Sequence, residues 1–187
     1  MITRIFRISW MIALLIICSS CGYKVDSLGQ SVRCRSVSVP YVEGDWDGSL
    51  TSALIKHLCR SGIEYRNQGG DLQLLVRLIE VDDENIGFRY DRHRDGKLKK
   101  SIIPVETRMI AWADVSLVDF ITSEVVLGPE RISASIDFDH DYYSSRDGVN
   151  VFSLGQLIDY DAAYDAAERP LYDKLAQKIV DFINDSW

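Results

Sequence analysis

The sequence predicts an α+β fold, in which a four-stranded, mainly antiparallel sheet carries two helices on one face in the order β-α-β-β-β-α. Apolar and polar residues alternate along several extended segments, which is typical of strands with one buried face. Leucines recur at four-residue spacing in one segment, and a second apolar stripe lies near the C-terminus; both patterns are typical of amphipathic helices. Packing both helices on one face of the sheet is the simplest way to bury the two stripes.

The segment VRCRSVSVPYVEGDWDGSL predicts the first strand and the first helix. Residues 32–42 are rich in β-branched side chains, and Val37 and Val39 share one strand face. Asp47 is the expected N-cap of a helix over about 48–60, because its carboxylate would accept the unpaired N–H groups there. The apolar side of this helix carries Leu50, Leu54 and Leu58.

Three further strands are predicted over 72–81, 102–118 and 125–139, with a polar loop over 82–100 and a break near Gly128. The last strand shows the clearest alternation. Its apolar positions are Ile132, Ala134, Ile136 and Phe138, and its polar positions are Arg131, Ser133, Ser135 and Asp137. This pattern predicts one buried face and one face in contact with water.

The C-terminal end of the chain is predicted to be helical, after a loop over 142–155. Pro170 either kinks this helix or begins a fresh first turn. The apolar stripe of the helix consists of Leu171, Leu175, Ile179, Phe182 and Ile183.

The N-terminal segment has the features of a signal peptide. Arg4 and Arg7 precede an apolar run over 8–17, which is about half the roughly 20 residues of a spanning helix. Cleavage after CSS would leave Cys21 as the first residue of the mature chain, as in a bacterial lipoprotein. Ordinary secretion, a membrane anchor and a redox pair of Cys18 with Cys21 are the alternatives.

Length and charge narrow the class of protein. The 187 residues carry a formal net charge of −7, and removal of residues 1–20, which contain two arginines and no acid, leaves −9. Residues 21–187 suit a single domain with its own core. Nucleic-acid binding is not expected, because it requires a basic surface. Cys34 and Cys59 are either a periplasmic disulfide or two buried thiols.

No catalytic motif is present, so we expect no enzyme activity and no cofactor. The acidic segment DFDHDYY resembles a calcium loop through Asp137, Asp139 and Asp141. The loop glycine and the final glutamate of an EF-hand are missing, however, since Tyr142 and Gly148 occupy those positions. We therefore interpret the segment as a solvated strand end and predict no metal site.

A basic segment, FRYDRHRDGKLKK, stands out in this acidic chain. Its cations suit the phosphate groups of an anionic lipid or glycolipid, and its aromatic residues add apolar surface. The alternative is a solvated hairpin whose cations pair with neighbouring aspartates. The cationic candidates are Arg89, Arg92, Arg94, Lys97, Lys99 and Lys100.

Four features of the sequence occur together: CGYKV at the expected mature start, the VSVPY strand that leads into a helix, the order of elements, and the closing AAERPLYDKLAQKIVDFI. In these features the chain resembles the LPS-assembly lipoprotein family, LptE. The resemblance covers nearly all of the mature chain at the level of element order.

This resemblance implies a lipoprotein of the outer membrane that faces the periplasm and is held there by acylated Cys21. The implied partners are an LptD-type β-barrel, which the chain would plug and help to assemble, and lipopolysaccharide on its way to the cell surface. The alternative from the residues is a stand-alone periplasmic lipoprotein that binds a glycolipid or a cell-wall ligand.

Overall fold

One mixed sheet of five strands forms the framework, in the order β2-β1-β3-β4-β5. The computed structural model describes residues 36–93, 96–141 and 159–186. The strands are β1 (Val37–Ser38), β2 (Tyr65–Arg66), β3 (Leu72–Arg92), β4 (Leu98–Asp119) and β5 (Val125–Asp139), and the helices are α1 (Ser49–Arg60) and α2 (Tyr160–Asp185). β1 runs parallel to β2 and β3, while β3, β4 and β5 are antiparallel to one another. The described residues belong to one compact unit.

The α+β class is confirmed, but the prediction of four strands is wrong by one. The additional strand, β2, has two residues and pairs with β1, where Val37 N–H donates to Glu64 O at 2.8 Å. Two residues are too few to show a periodicity. Within the described residues, the strand predicted over 32–42 is also shorter than expected, because only Val37 and Ser38 have strand pairing.

Both helices pack on the same face of the sheet. The fully buried leucines Leu50, Leu54 and Leu58 of α1 belong to the same core cluster as the α2 stripe and alternate residues of β3 and β4. The core positions of the sheet are Leu72, Leu74 and Val76 of β3 and Met109, Ala111, Ala113, Val115 and Leu117 of β4. Neither helix in the described part of the chain is long and apolar enough to cross a membrane.

The start of α1 differs from the predicted cap. Gly48, with φ +78°, occupies the N-cap position instead of Asp47. The buried carboxylate of Asp45 accepts the Thr51 N–H at 2.7 Å and the Leu50 N–H at 3.3 Å, whereas Asp47 accepts the Ser49 N–H at 3.0 Å. The DWDG turn therefore places two carboxylates at the helix start, and the buried one satisfies the inner N–H groups.

α2 is one continuous helix through Pro170. Asp159 caps it by accepting the Ala162 N–H at 2.8 Å, and Pro170 lies on its exposed side. The carbonyl that loses its helical hydrogen bond to the proline can then be solvated. The buried stripe predicted for this helix is confirmed, with Phe182 half-buried at its margin.

The loop predicted over 82–100 is instead strand over most of its length. β3 continues to Arg92 and β4 begins at Leu98, so the two strands form one long hairpin. Consecutive polar residues over 82–85 occupy both faces at the start of this extension, so the apolar alternation by which the sequence marks a strand is interrupted there. Backbone pairing with the partner strand maintains the extension. β5 likewise runs through Gly128 without the predicted break, although its register with β4 shifts nearby.

Two lysines of α2 bind the outer edge of β5. Lys174 Nζ donates to Ser135 O and Lys178 Nζ donates to Ser133 O, both at 2.8 Å. β5 is the edge strand on this side of the sheet. An edge with unpaired carbonyl groups is a template for pairing with another chain, so these ammonium groups occupy acceptors that a second strand would need.

Replacing both lysines, in the double variant Lys174→Ala, Lys178→Ala, should therefore increase self-association, because the β5 carbonyls become available while helix propensity is kept. Sedimentation velocity at increasing protein concentration measures the effect. Gln177→Ala, an exposed change between the two lysines, is the control and should remain monomeric. Equal sedimentation of the double variant and the control would contradict the role of the lysines.

Candidate functional site

The end of the long hairpin, which we call the distal ribbon, comprises the described residues of 88–102. Phe88 lies opposite Pro104, Tyr90 opposite Ile102, and Arg92 opposite Leu98. The turn is closed by His93 N–H, which donates to Lys97 O at 2.7 Å. Every described side chain of the ribbon is exposed except those of Asp91 and Lys99.

One face of the distal ribbon is apolar and in contact with water. Side chains alternate between the two faces of a strand, so residues opposite one another share a face. Phe88, Tyr90, Leu98 and Ile102 are each 58–59% exposed, and Lys100 shares their face. Clustered large apolar side chains beside a cation suit a ligand that has both acyl chains and anionic groups.

The other face of the ribbon is polar and internally paired. Lys99 Nζ donates to Asp91 Oδ2 at 2.8 Å, and the Ser101 hydroxyl donates to the same oxygen at 3.3 Å. The hydrogen bond from Lys99 is the main cause that lowers the pKa of Asp91. Arg89 lies 3.8 Å from a carboxylate oxygen of Asp141.

The basic residues that the sequence suggested as one group thus have different environments in the ribbon. Lys99 pairs with Asp91, as the alternative of a solvated hairpin predicts, whereas Arg89 lies near the more distant Asp141. The exposed Arg92 donates to Gly96 O at 3.1 Å. Lys97 and Lys100 are exposed, and Arg94 lies outside the described residues. The cations nearest the apolar face are the strongest candidates for a ligand contact.

A buried polar cluster supports the base of the ribbon. Thr107 donates its hydroxyl proton to Asn85 Oδ1 at 3.1 Å, so it accepts from His140 Nε2 at 2.9 Å. The Tyr160 ring lies perpendicular to the His140 ring, with their centroids 5.1 Å apart. Tyr160 in turn donates to Asp83 Oδ2 at 2.7 Å. These contacts connect the start of α2 to the hairpin.

The acidic segment that the sequence compared with a calcium loop does not converge on a site. Both oxygens of Asp137 bond to the Arg108 guanidinium, at 2.8 and 2.9 Å. Asp139 is exposed, and Asp141 is buried near Arg89. In the part of the chain that the structure describes, no three His, Cys, Asp or Glu side chains are grouped as metal ligands.

The sheet face opposite the helices, which we call the open face, carries a network that sequence analysis missed. Among the described residues no helix covers it. Asp114 accepts from Arg131 at 2.8 and 3.2 Å and from Arg77 at 3.3 Å. The bond from Arg131 is the main cause that lowers the pKa of Asp114. The half-buried Trp112 lies opposite Ser133 in the same register.

The alternation of β5 did indicate this surface, since its polar positions all lie on the open face in register with β4. What the sequence did not show was the cross-strand partner of each residue. Residues that face each other across the two strands, such as Asp114 and Arg131, are 17 positions apart in the sequence. Their pairing depends on the register of the hairpin. On the open face, Asp114 is therefore already paired with Arg131 and Arg77, and Asp137 with Arg108.

The cysteine predictions lie largely outside the described residues. Cys21 and Cys34 are both in the segment that the structure does not describe, and Cys59 is exposed on α1. Acylation of Cys21 and pairing of Cys34 with Cys59 remain predictions.

No protein-family model matches the sequence, and no curated protein matches it. Similar solved structures include a minor lipoprotein from Acinetobacter baumannii, with 14% identity and a TM-score of 0.46 over 78% of this chain and 87% of that one. They also include rare lipoprotein B from Shewanella oneidensis, with 14% identity and a TM-score of 0.45 over 81% of this chain and 95% of that one. Identities this low, with TM-scores below 0.5, extend neither a family assignment nor a function to this chain.

The buried His140 predicts a pH dependence of stability. Burial lowers its pKa, against a smaller opposing effect of Asp139 and Asp141. Between the folded pKa and the unfolded value of 6.5, the unfolded chain binds the proton and the folded chain does not. The free energy of unfolding should therefore fall as the pH drops below about 6.5, by at most roughly 1.4 kcal/mol per pH unit for one proton.

Urea denaturation between pH 7.5 and 5 measures this slope. His140→Gln keeps a donor toward Thr107 but does not titrate, so its slope should be smaller than that of the unmodified chain. His93→Gln, at an exposed position, is the matched control and should keep the full slope. Identical slopes for all three proteins would show that His140 does not govern the pH dependence.

Proposed function

We propose that this chain is a lipid-anchored outer-membrane protein of the LptE type, which occupies the lumen of an LptD-type β-barrel and assists its assembly in lipopolysaccharide transport. The observation that carries the proposal is the open face, where charged side chains are paired with one another across the strands. The lumen of a large barrel is polar and wet. A plug for such a lumen needs a polar surface whose hydrogen bonds are already satisfied.

The open face meets this requirement through its geometry. Asp114 and Asp137 each accept two hydrogen bonds from one arginine, and these bidentate pairs hold the side chains flat against the sheet. Trp112 provides an amphipathic surface among them. A rigid, paired surface of this kind loses little side-chain entropy on contact with a partner.

The N-terminal sequence supports the membrane location in the proposal. An acylated Cys21 would hold the domain stably to a bilayer, because each buried methylene contributes about 0.8 kcal/mol. In this proposal, the periplasmic domain begins some residues after the anchor and reaches the barrel from the periplasmic side. No reaction is assigned to the chain, since a plug acts by occupancy.

The distal ribbon supports a contact with lipopolysaccharide. Its apolar face suits acyl chains, and Lys100 on that face suits a phosphate group. Exposed aromatic and aliphatic side chains of this size are unfavourable in water unless a partner covers them. A stand-alone lipoprotein that binds a glycolipid would use the same ribbon, so this second candidate function is distinguished by its lack of a barrel partner.

The barrel partnership is tested by purifying the tagged full-length chain in detergent and identifying the proteins that accompany it. We expect an outer-membrane barrel in equal stoichiometry. Ser133→Arg places a bulky unpaired cation on the open face beside Trp112 and should reduce recovery of the barrel. Ser52→Arg, the same substitution at an exposed position of α1, is the control. Recovery of the chain without a barrel would favour the stand-alone lipoprotein.

Lipopolysaccharide binding by the ribbon is tested with neutralised cations. Replacing Arg89, Arg92 and Arg94 together by glutamine should weaken binding and reduce its sensitivity to salt. Among single changes, Lys100→Gln should weaken binding by up to about fivefold, the value of an exposed ion pair. Lys99→Gln should have less effect, because Lys99 is already held by Asp91. Unchanged binding in both the triple variant and Lys100→Gln would assign the ribbon a purely structural role.

A further inference from the structure

The turn between β4 and β5, which we call the proximal turn, exposes a second apolar cluster. It comprises residues 119–126, at the end of the sheet opposite the distal ribbon. Ile121 is 88% exposed, Val125 56%, Phe120 50% and Val126 43%. Four exposed apolar side chains within eight residues form a patch of the kind that marks a contact with another apolar surface.

The N–H groups of the proximal turn are already satisfied within the protein. Every N–H group from residue 119 to 124 donates a hydrogen bond, to acceptors that include the Asp119 carboxylate and the Asp71 carbonyl. Unsatisfied backbone groups make a loop costly to transfer out of water. Pairing of its N–H groups within the protein lowers this cost for the proximal turn in the interfacial region of a bilayer.

The proximal turn lies beside the point where the chain arrives from its N-terminal anchor. Ser36 N–H donates to Asp71 Oδ2 at 3.0 Å, and Phe120 N–H donates to the carbonyl of the same Asp71 at 3.0 Å. The first described residue and the apolar turn are thus joined through one aspartate. Fifteen chain steps separate Ser36 from Cys21.

The length of this connection restricts the orientation at a membrane. Fifteen residues span at most about 50 Å, even when fully extended. β4 has 22 residues, so the distal ribbon lies about 70 Å along the strand from the proximal turn. A domain standing with its distal ribbon on the bilayer would hold Ser36 beyond the reach of an anchor at Cys21. The proximal turn is the end that the anchor keeps near the lipid.

We propose that the proximal turn inserts Phe120, Ile121, Val125 and Val126 into the interfacial region of the bilayer that holds acylated Cys21. This inference rests on the lipid anchor of the proposed function, but not on the barrel partner. The turn carries Asp119 and Glu124 and no basic residue, so the contact is made by apolar burial and not by attraction to anionic headgroups. The cationic distal ribbon is then the end of the sheet farthest from the anchored turn.

The test uses tryptophan reporters at the two ends of the sheet. Full-length chains carrying Ile121→Trp or Ile102→Trp are processed in cells, purified and reconstituted in phosphatidylcholine vesicles whose acyl chains are brominated near the headgroup. The native tryptophans of the chain are common to both variants, and the unmodified protein gives their background. We expect the emission added by Ile121→Trp to be quenched, and that added by Ile102→Trp to be unaffected. High salt should leave the quenching unchanged.

The results that overturn the proposal are specific. Vesicle-bound protein without quenching at position 121, equal quenching at both positions, or quenching that salt abolishes would each exclude apolar insertion of the proximal turn. Failure of the protein to float with the vesicles would show instead that the anchor is missing, and would overturn the inference together with it. Loss of the barrel partner in the purification experiment would leave the vesicle result unaffected.

Discussion

Helices cover one face of the sheet and leave the other face to satisfy its own polar groups. On the covered side, Leu54 and Leu175 are fully buried, and burial of such side chains stabilises by about 1.5–3 kcal/mol each. On the open side, exposed ion pairs such as Asp137 with Arg108 contribute little, because water screens them. The covered face therefore supplies most of the stability, and the residues of the open face are available for recognition.

The long hairpin of β3 and β4 extends this division beyond the core. Near the helices its inner face is buried, and farther out both faces meet water. The polar face of the ribbon is held by the contacts of Asp91 with Lys99 and Ser101. The opposite face keeps Phe88 and Tyr90 exposed with no such compensation. An isolated two-stranded ribbon is marginally stable in water, and the Thr107–His140 cluster adds support at its base.

Charge is distributed unevenly along the length of β4. The chain is acidic overall, yet its densest run of cations lies in the distal ribbon, while the proximal turn has two carboxylates and no cation. These ends are separated by about the length of β4, roughly 70 Å for 22 residues. The molecule therefore presents an apolar, acidic end and an apolar, cationic end, and the open face lies between them.

The sequence by itself determined the class of fold, the buried stripes of both helices and the inner and outer faces of β5. Each depends on a local period of apolar residues, which the helix stripe at Leu171 and Leu175 and the strand pattern at Ile132 and Ala134 show directly. It also singled out the basic segment, because composition is visible without coordinates.

The tertiary structure alone decided which of those cations face the apolar side of the ribbon and which are paired. It also decided that the polar residues after Val81 form strands, since their pairing comes from the partner strand and not from their own pattern. The same holds for Asp114 with Arg131 and for Asp71, which joins Ser36 to the proximal turn. Such residues are many positions apart in the sequence, and strand register brings them together in the fold. No local period of the sequence shows which of them will meet.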